Sequence, residues 1–257
     1  MFFKLLLAAL LAMAPSNPVL SHVSFVAVPE VVVILALGDS ITESPDGWTA
    51  EFCSQMEAAT DNLCDMRNVA VGQTKCNYWP SRINALLVLH EPNLVIMACG
   101  TNDDTTTAAG RDALGTAFRQ TIESVHTFRS PPILFAPVLI QYSDPMMAPS
   151  WVVASQPFTN DTLYSNVMLY NYPSWLAGIV DWQVIPATAD YLVGTPYPQE
   201  VGLHPTARGH LYAGRLAYDR IALGMGWPIS SDPALCGLYG HRRGYGRPTY
   251  APCPMGF

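Results

Sequence analysis

The chain has 257 residues, 50% of them hydrophobic and 13% charged, with a formal net charge of −7. That apolar content supports one sizeable globular domain and excludes a disordered chain or a solvated charged rod. The acidic balance excludes nucleic acid as a partner, because no basic surface offsets phosphate repulsion; Arg242, Arg243 and Arg247 stand in a Gly/Tyr-rich tail and read as a solvated loop.

The chain opens Met1-Phe2-Phe3-Lys4, then runs apolar from Leu5 to Ala14 and breaks at Pro15-Ser16-Asn17-Pro18. A single positive charge before a short apolar run is the pattern of a secretory signal peptide. The run is too short for the ~20 residues that span a bilayer. Residues 1–21 are therefore set aside as a leader, with Ala12-Met13-Ala14 and Val19-Leu20-Ser21 as competing cleavage patterns. The expected product is secreted, with no stable membrane insertion once the leader is removed. The six cysteines agree, since an even count in an exported chain favours disulfides. The expected pairs are Cys53 with Cys64, Cys76 with Cys99, and Cys236 with Cys253, although six cysteines admit many other connectivities. No Cys/His spacing suggests zinc. The implied organisation is a leader over 1–21, a domain over 22–230, and a tail over 231–257 clipped by Cys236 and Cys253.

In chain order, Val31 to Leu37 is a continuous apolar, β-branched run that reads as a strand buried on both faces. It stops abruptly at Gly38-Asp39-Ser40. Trp48 to Ala59 has helical spacing, with Trp48, Phe52, Met56 and Ala59 on one face. Met66 to Val71 reads as a second strand ending at Gly72, and Tyr78 to His90 as a helix. Asn93 to Cys99 is a third strand, stopping at Gly100-Thr101-Asn102-Asp103. Ala108 to Phe128 is the longest helical pattern. Pro132 to Ile140 and Gly178 to Ile185 supply a fourth and a fifth strand, and Thr206 to Met225 a closing helix. Strands alternating with helices of this length imply βαβ crossovers, hence an α/β fold with a parallel sheet covered on both faces.

Between Tyr142 and Tyr172 the periodicity is poor, and the stretch reads as a long insertion at the rim. Its Trp151, Phe158, Tyr164 and Tyr170 either form a stacking platform for substrate or pack the insertion onto the core. Asn160-Asp161-Thr162 has the form of a glycosylation sequon.

Parallel strands deliver their following loops to one edge of the sheet, where open α/β folds bind ligands. Ser40, Gly72 and Asn102 all follow strands and so share that edge. A hydrolytic serine needs a base within hydrogen-bond reach and donors aimed at the developing oxyanion. Ser40 is the candidate nucleophile; its own N–H, the uncovered N–H of Gly72 and the Asn102 amide are candidate donors. His204, in Leu203-His204-Pro205-Thr206 just ahead of the last helix, is the candidate base. Asp39 is expected to hold the Ser40 turn, and Asp103 and Asp104 to cap the next loop and helix. His90 and His126 fall within helical patterns, and His210 is expected to point away from the strand edge.

Gly38-Asp39-Ser40-Ile41-Thr42, the glycine of Asn68-Val69-Ala70-Val71-Gly72, Gly100-Thr101-Asn102-Asp103 and His204-Pro205-Thr206 resemble, in order, the four blocks of the SGNH/GDSL hydrolase superfamily. The resemblance spans roughly Val31 to Met225. It implies a flavodoxin-like three-layer α/β/α sandwich around a five-stranded parallel sheet, and an esterase needing no metal or cofactor. It also implies Ser40 as nucleophile, His204 as base, and Ser40, Gly72 and Asn102 as oxyanion hole. The substrates it allows are small-molecule, lipid or polysaccharide esters, among which export and the rim aromatics favour carbohydrate deacetylation. One departure matters: the family's aspartate three residues before the histidine is Val201 here. Either Glu200 or a backbone carbonyl orients the imidazole instead, with Asp190 a more distant substitute, or the chain is a catalytically weak carbohydrate-binding relative of the fold.

Overall fold

The computed structural model describes residues 30–128, 134–139, 150–170, 175–185, 192–193 and 204–229. The middle layer is a five-stranded sheet of β1 (Val31–Gly38), β2 (Leu63–Asn68), β3 (Leu94–Ala98), β4 (Leu134–Leu139) and β5 (Val180–Asp181). Its strand order is β2-β1-β3-β4-β5, and every neighbouring pair is parallel. This is the flavodoxin-like winding, whose switch point falls between β1 and β3. Gly38 pairs with Ala98 across that point, so the chain leaves both strands side by side at the edge where the sequence places Ser40 and Asn102. A separate two-stranded antiparallel pair joins β6 (Leu192–Val193) to β7 (His204–Pro205).

The alternation of side chains along β1 divides the core in two. Val32, Ile34 and Ala36 face one layer, with Trp48, Phe52 and Met56 of α2 (Trp48–Thr60) and Tyr218 and Ile221 of α6 (Ala207–Met225). Leu35 and Leu37 face the other, with Ile83 and Leu87 of α3 (Ile83–His90) and Leu114, Phe118 and Ile122 of α4 (Ala108–Thr127). Each aliphatic or phenyl side chain buried this fully contributes ~1.5–3 kcal/mol against chain entropy, which is why the near-continuous apolar strands sit at the centre. Helix ends follow the sequence signals. Thr107 caps α4 by accepting from Gly110 N–H at 3.0 Å, Thr206 caps α6 by accepting from Gly209 N–H at 2.9 Å, and α6 ends on left-handed Gly226.

Two of the expected disulfides form. Cys53–Cys64 ties α2 to β2 with Cα atoms 5.4 Å apart, and Cys76–Cys99 joins the loop after β2 to the end of β3 with Cα atoms 5.2 Å apart. Cys236 and Cys253, the leader over 1–21 and the tail over 231–257 lie outside the described residues. Among the described residues no helix is long and apolar enough to cross a membrane.

Several elements differ from the sequence reading, among them α3, which starts at Ile83 rather than Tyr78 because Cys76–Tyr78 form a separate 3₁₀ turn. Much of the expected rim insertion is a helix, α5 (Ser150–Tyr170), with Pro157 inside it. Among its residues with described side chains the buried ones are Ser155, Thr159, Asn160, Leu163 and Asn166, spaced for one helical face and, Leu163 apart, polar. Hydrogen bonds satisfy part of that polar face: the Thr105 and Thr159 hydroxyls lie 2.8 Å apart, and Arg119 donates to Asn166 Oδ1 at 2.7 Å. The sequon asparagine, Asn160, is 3% exposed within this helix and is closed to a glycosyltransferase in the folded chain. The fifth strand is only Val180–Asp181, because the Asp181 carboxylate accepts from Gln183 N–H at 3.1 Å and turns the chain into a 3₁₀ turn over Trp182–Val184. The second strand begins earlier, at Leu63, and stops at Asn68.

Candidate active site

The turn that presents Ser40 is built by its neighbours. Asp39 caps α1 (Ser40–Glu43): its Oδ1 accepts from Ile41 N–H at 3.1 Å, and its carbonyl accepts from Thr42 and Glu43 N–H at 3.0 and 2.9 Å. Thr42 is pinned from two further sides, its hydroxyl accepting from Trp48 Nε1–H at 3.3 Å and its carbonyl from the Asn68 amide at 2.5 Å. A one-turn helix alone is unstable; here β1, α2 and β2 all hold it.

The loop after β2 crosses beside this turn. Gly72 lies so close that a β-carbon built on it would stand 3.7 Å from Ser40 Cβ. The Thr74 hydroxyl donates to the Val71 carbonyl at 2.8 Å, and the Thr74 carbonyl accepts from Asn102 Nδ2 at 3.1 Å. One amide hydrogen of Asn102 is thus anchored and the other is left for a ligand. Asp103 Oδ2 accepts from Cys76 N–H at 3.0 Å, so the loops after β2 and β3 are joined by a hydrogen bond as well as by Cys76–Cys99. Asp104 caps the loop as expected, accepting from the Thr106 hydroxyl and N–H, but the helix that follows is capped by Thr107 and by neither acid. Gly100 takes φ +126°, a region that side chains avoid, and a β-carbon there would meet Thr159 of α5 at 2.7 Å.

β7 then brings His204 to this edge from 164 residues away, with its Nε2 2.8 Å from Ser40 Oγ. Residues 40, 72, 102 and 204 therefore share one small region. Glu200, Val201 and Asp190 lie outside the described residues. Among the described residues no three His, Cys, Asp or Glu side chains are grouped so as to hold a metal ion.

The sequence matches the model of the GDSL-like lipase/acylhydrolase family over residues 36–211. The chain belongs to that family. No curated protein sequence matches it significantly. Among solved structures it resembles a family 3 carbohydrate esterase from Clostridium thermocellum (TM-score 0.59, 16% identity, covering 77% of this chain and 98% of that one). It also resembles the psychrotrophic esterase EstA from Pseudoalteromonas sp. (0.58, 16%, 76% and 98%) and the acetylxylan esterase Axe2 from Geobacillus stearothermophilus (0.56, 14%, 76% and 95%). At these identities the likeness is one of fold.

The electrostatics of this GDSL-family site are set by burial. Asp39 is 1% exposed, and its carboxyl is pushed up to about 6, chiefly by desolvation and also by the Asp103 charge, against the pull of Ile41 N–H and the Thr101 hydroxyl. Burial also raises Asp103, partly offset by Cys76 N–H and the Lys75 charge. Because the folded value for Asp39 exceeds the ordinary 3.8, the native state holds its proton more tightly than the unfolded chain does. The stability from this group is fully present below about pH 4 and is lost as pH rises through about 6. Asp39→Asn keeps the acceptor for Ile41 without the buried charge. Urea denaturation should show it more stable than the parent by about 1–3 kcal/mol at pH 8 and indistinguishable at pH 4.

Sequence reasoning missed three neighbours. His210 is partly buried, its Nδ1 3.4 Å from the space a Gly47 β-carbon would fill, and its pKa is pushed down to about 4, mainly by burial and also by the charge of His204. Asp103 was placed as a cap and instead bridges two loops. Glu43, directly after the Ser40 block, carried no signal of its own, yet its carboxylate lies 2.7 Å from the space a Gly72 β-carbon would fill. Of the rim aromatics with described side chains, Phe158 is 44% exposed beneath the Arg111 guanidinium, and Tyr164 packs against the core.

Proposed function

We propose that this chain is a secreted serine esterase that cleaves carboxylic esters through an acyl intermediate on Ser40. The observation that carries the reading is the 2.8 Å contact between His204 Nε2 and Ser40 Oγ, beside Gly72 and Asn102. With its hydrogen on Nδ1, the imidazole accepts the serine proton at Nε2 as Oγ attacks the ester carbonyl. The negative oxygen that develops is met by the N–H groups of Ser40 and Gly72 and by the free amide hydrogen of Asn102. The imidazolium then gives its proton to the leaving alcohol. Water, deprotonated by the same nitrogen, releases the acid and restores the serine. Glu200 or a backbone carbonyl is the proposed partner for Nδ1.

Carbohydrate O-deacetylation is the preferred substrate reading. It is supported by the fold likeness to a carbohydrate esterase and an acetylxylan esterase, and export by the apolar leader and the two disulfides. A fluorophosphonate probe tests the chemistry, as the related fold of EstA was captured inhibited by monoethylphosphonate. Mass spectrometry should find one adduct, on the peptide carrying Ser40. An unlabelled Ser40 under conditions that label a control esterase sinks the proposal. On p-nitrophenyl esters, kcat/KM should fall from acetate to octanoate; a rise would move the reading to lipid esters.

A further inference from the structure

We infer that Glu43 is a charge filter on the substrate, setting a preference for esters with a cationic group near the carbonyl over neutral ones, and for neutral over anionic. The inference rests on the esterase reading above and concerns the same site. Three observations carry it. Glu43 Oε2 is 2.7 Å from the position a β-carbon on Gly72 would occupy, and that position is 3.7 Å from Ser40 Cβ. The carboxylate therefore abuts the space that the absence of a side chain at 72 leaves open, and that space adjoins Ser40. Second, its backbone is fixed: Glu43 N–H donates to the Asp39 carbonyl at 2.9 Å, within the turn that also holds Ser40. The carboxylate is carried on the same rigid element as the reacting hydroxyl.

Third, the charge is not spent elsewhere. Among the described residues no lysine or arginine lies within ion-pair distance of Glu43, and its carboxylate accepts no hydrogen bond. Glu43 is exposed to solvent. Its field therefore reaches the bound ester with no lysine or arginine among the described residues paired to it. A negative charge there raises the barrier for an anionic ester and lowers it for a cationic one, relative to a neutral molecule of the same shape. Solvent screening keeps the effect modest, of the size seen for exposed charge pairs.

The test compares kcat/KM for acetylcholine, its neutral isostere 3,3-dimethylbutyl acetate, and 3-sulfonatopropyl acetate. The parent should prefer acetylcholine over the isostere by about fivefold at low salt and disfavour the sulfonate by a similar factor. Glu43→Gln should bring the three within about twofold of one another, and Glu43→Lys should reverse their order. Salt near 0.5 M should shrink the parent's preference towards that of Glu43→Gln, since screening then acts within a few ångströms. Equal rates for all three in the parent, or a preference that survives in Glu43→Gln, overturn the charge filter and leave the esterase reading standing. No turnover of any of the three overturns both.

Discussion

Alanine at Ser40 should lower kcat on p-nitrophenyl acetate by roughly 10⁴- to 10⁶-fold, alanine at His204 by nearly as much, and both together by no more than the worse single change. The reason is the 2.8 Å contact between the two side chains. Without the imidazole the hydroxyl remains protonated and is a poor nucleophile; without the hydroxyl the imidazole has nothing to activate. What remains in every variant is the same binding and oxyanion stabilisation, so the losses cannot add. Both positions are partly exposed, so unfolding free energies should stay within about 1 kcal/mol of the parent. The measurement is single-turnover kinetics of the three variants beside their urea denaturation curves. Two independent losses that multiply in the double variant would mean that Ser40 and His204 do not act as a unit.

What the sequence made legible follows from where burial leaves a periodic trace. β1 and β3 are covered on both faces by apolar layers, so Val31 to Leu37 and Leu94 to Ala98 show as unbroken apolar runs ending in turns. Those endings place Ser40 and Asn102, and the strand order then puts them at the switch point. α5 was hidden in part because, among its residues with described side chains, the buried face holds Ser155, Thr159, Asn160 and Asn166 beside Leu163, and no apolar pattern marks those four. Those residues are buried because Thr105 and Arg119 satisfy some of them, a tertiary fact with no local signature. Asp103 and Glu43 escaped for the same reason. Their significance is a neighbour brought in from another loop: Cys76 N–H for the one, the bare α-carbon of Gly72 for the other.

Asn102→Ala should cost about 10²- to 10³-fold in kcat, near 3–4 kcal/mol of transition-state stabilisation, while KM changes little. In the proposed mechanism the amide that the Thr74 carbonyl holds at 3.1 Å turns its second hydrogen to charge that exists only as the acyl carbon becomes tetrahedral. A donor used that way stabilises the transition state more than the bound ester, so its loss falls on kcat. Alanine also removes the bond to Thr74, and losing one partly buried neutral hydrogen bond costs ~1 kcal/mol of stability. The activity loss must therefore exceed the stability loss for the oxyanion role to hold. Asn102→Asp sharpens the comparison. It keeps the shape but donates to neither oxygen, and it sets a carboxylate where negative charge must build, so it should be slower than the alanine variant. An aspartate variant faster than the alanine one, or losses that appear in KM rather than kcat, would show that residue 102 only braces the loop against Thr74 and leave Ser40 and Gly72 N–H as the donors.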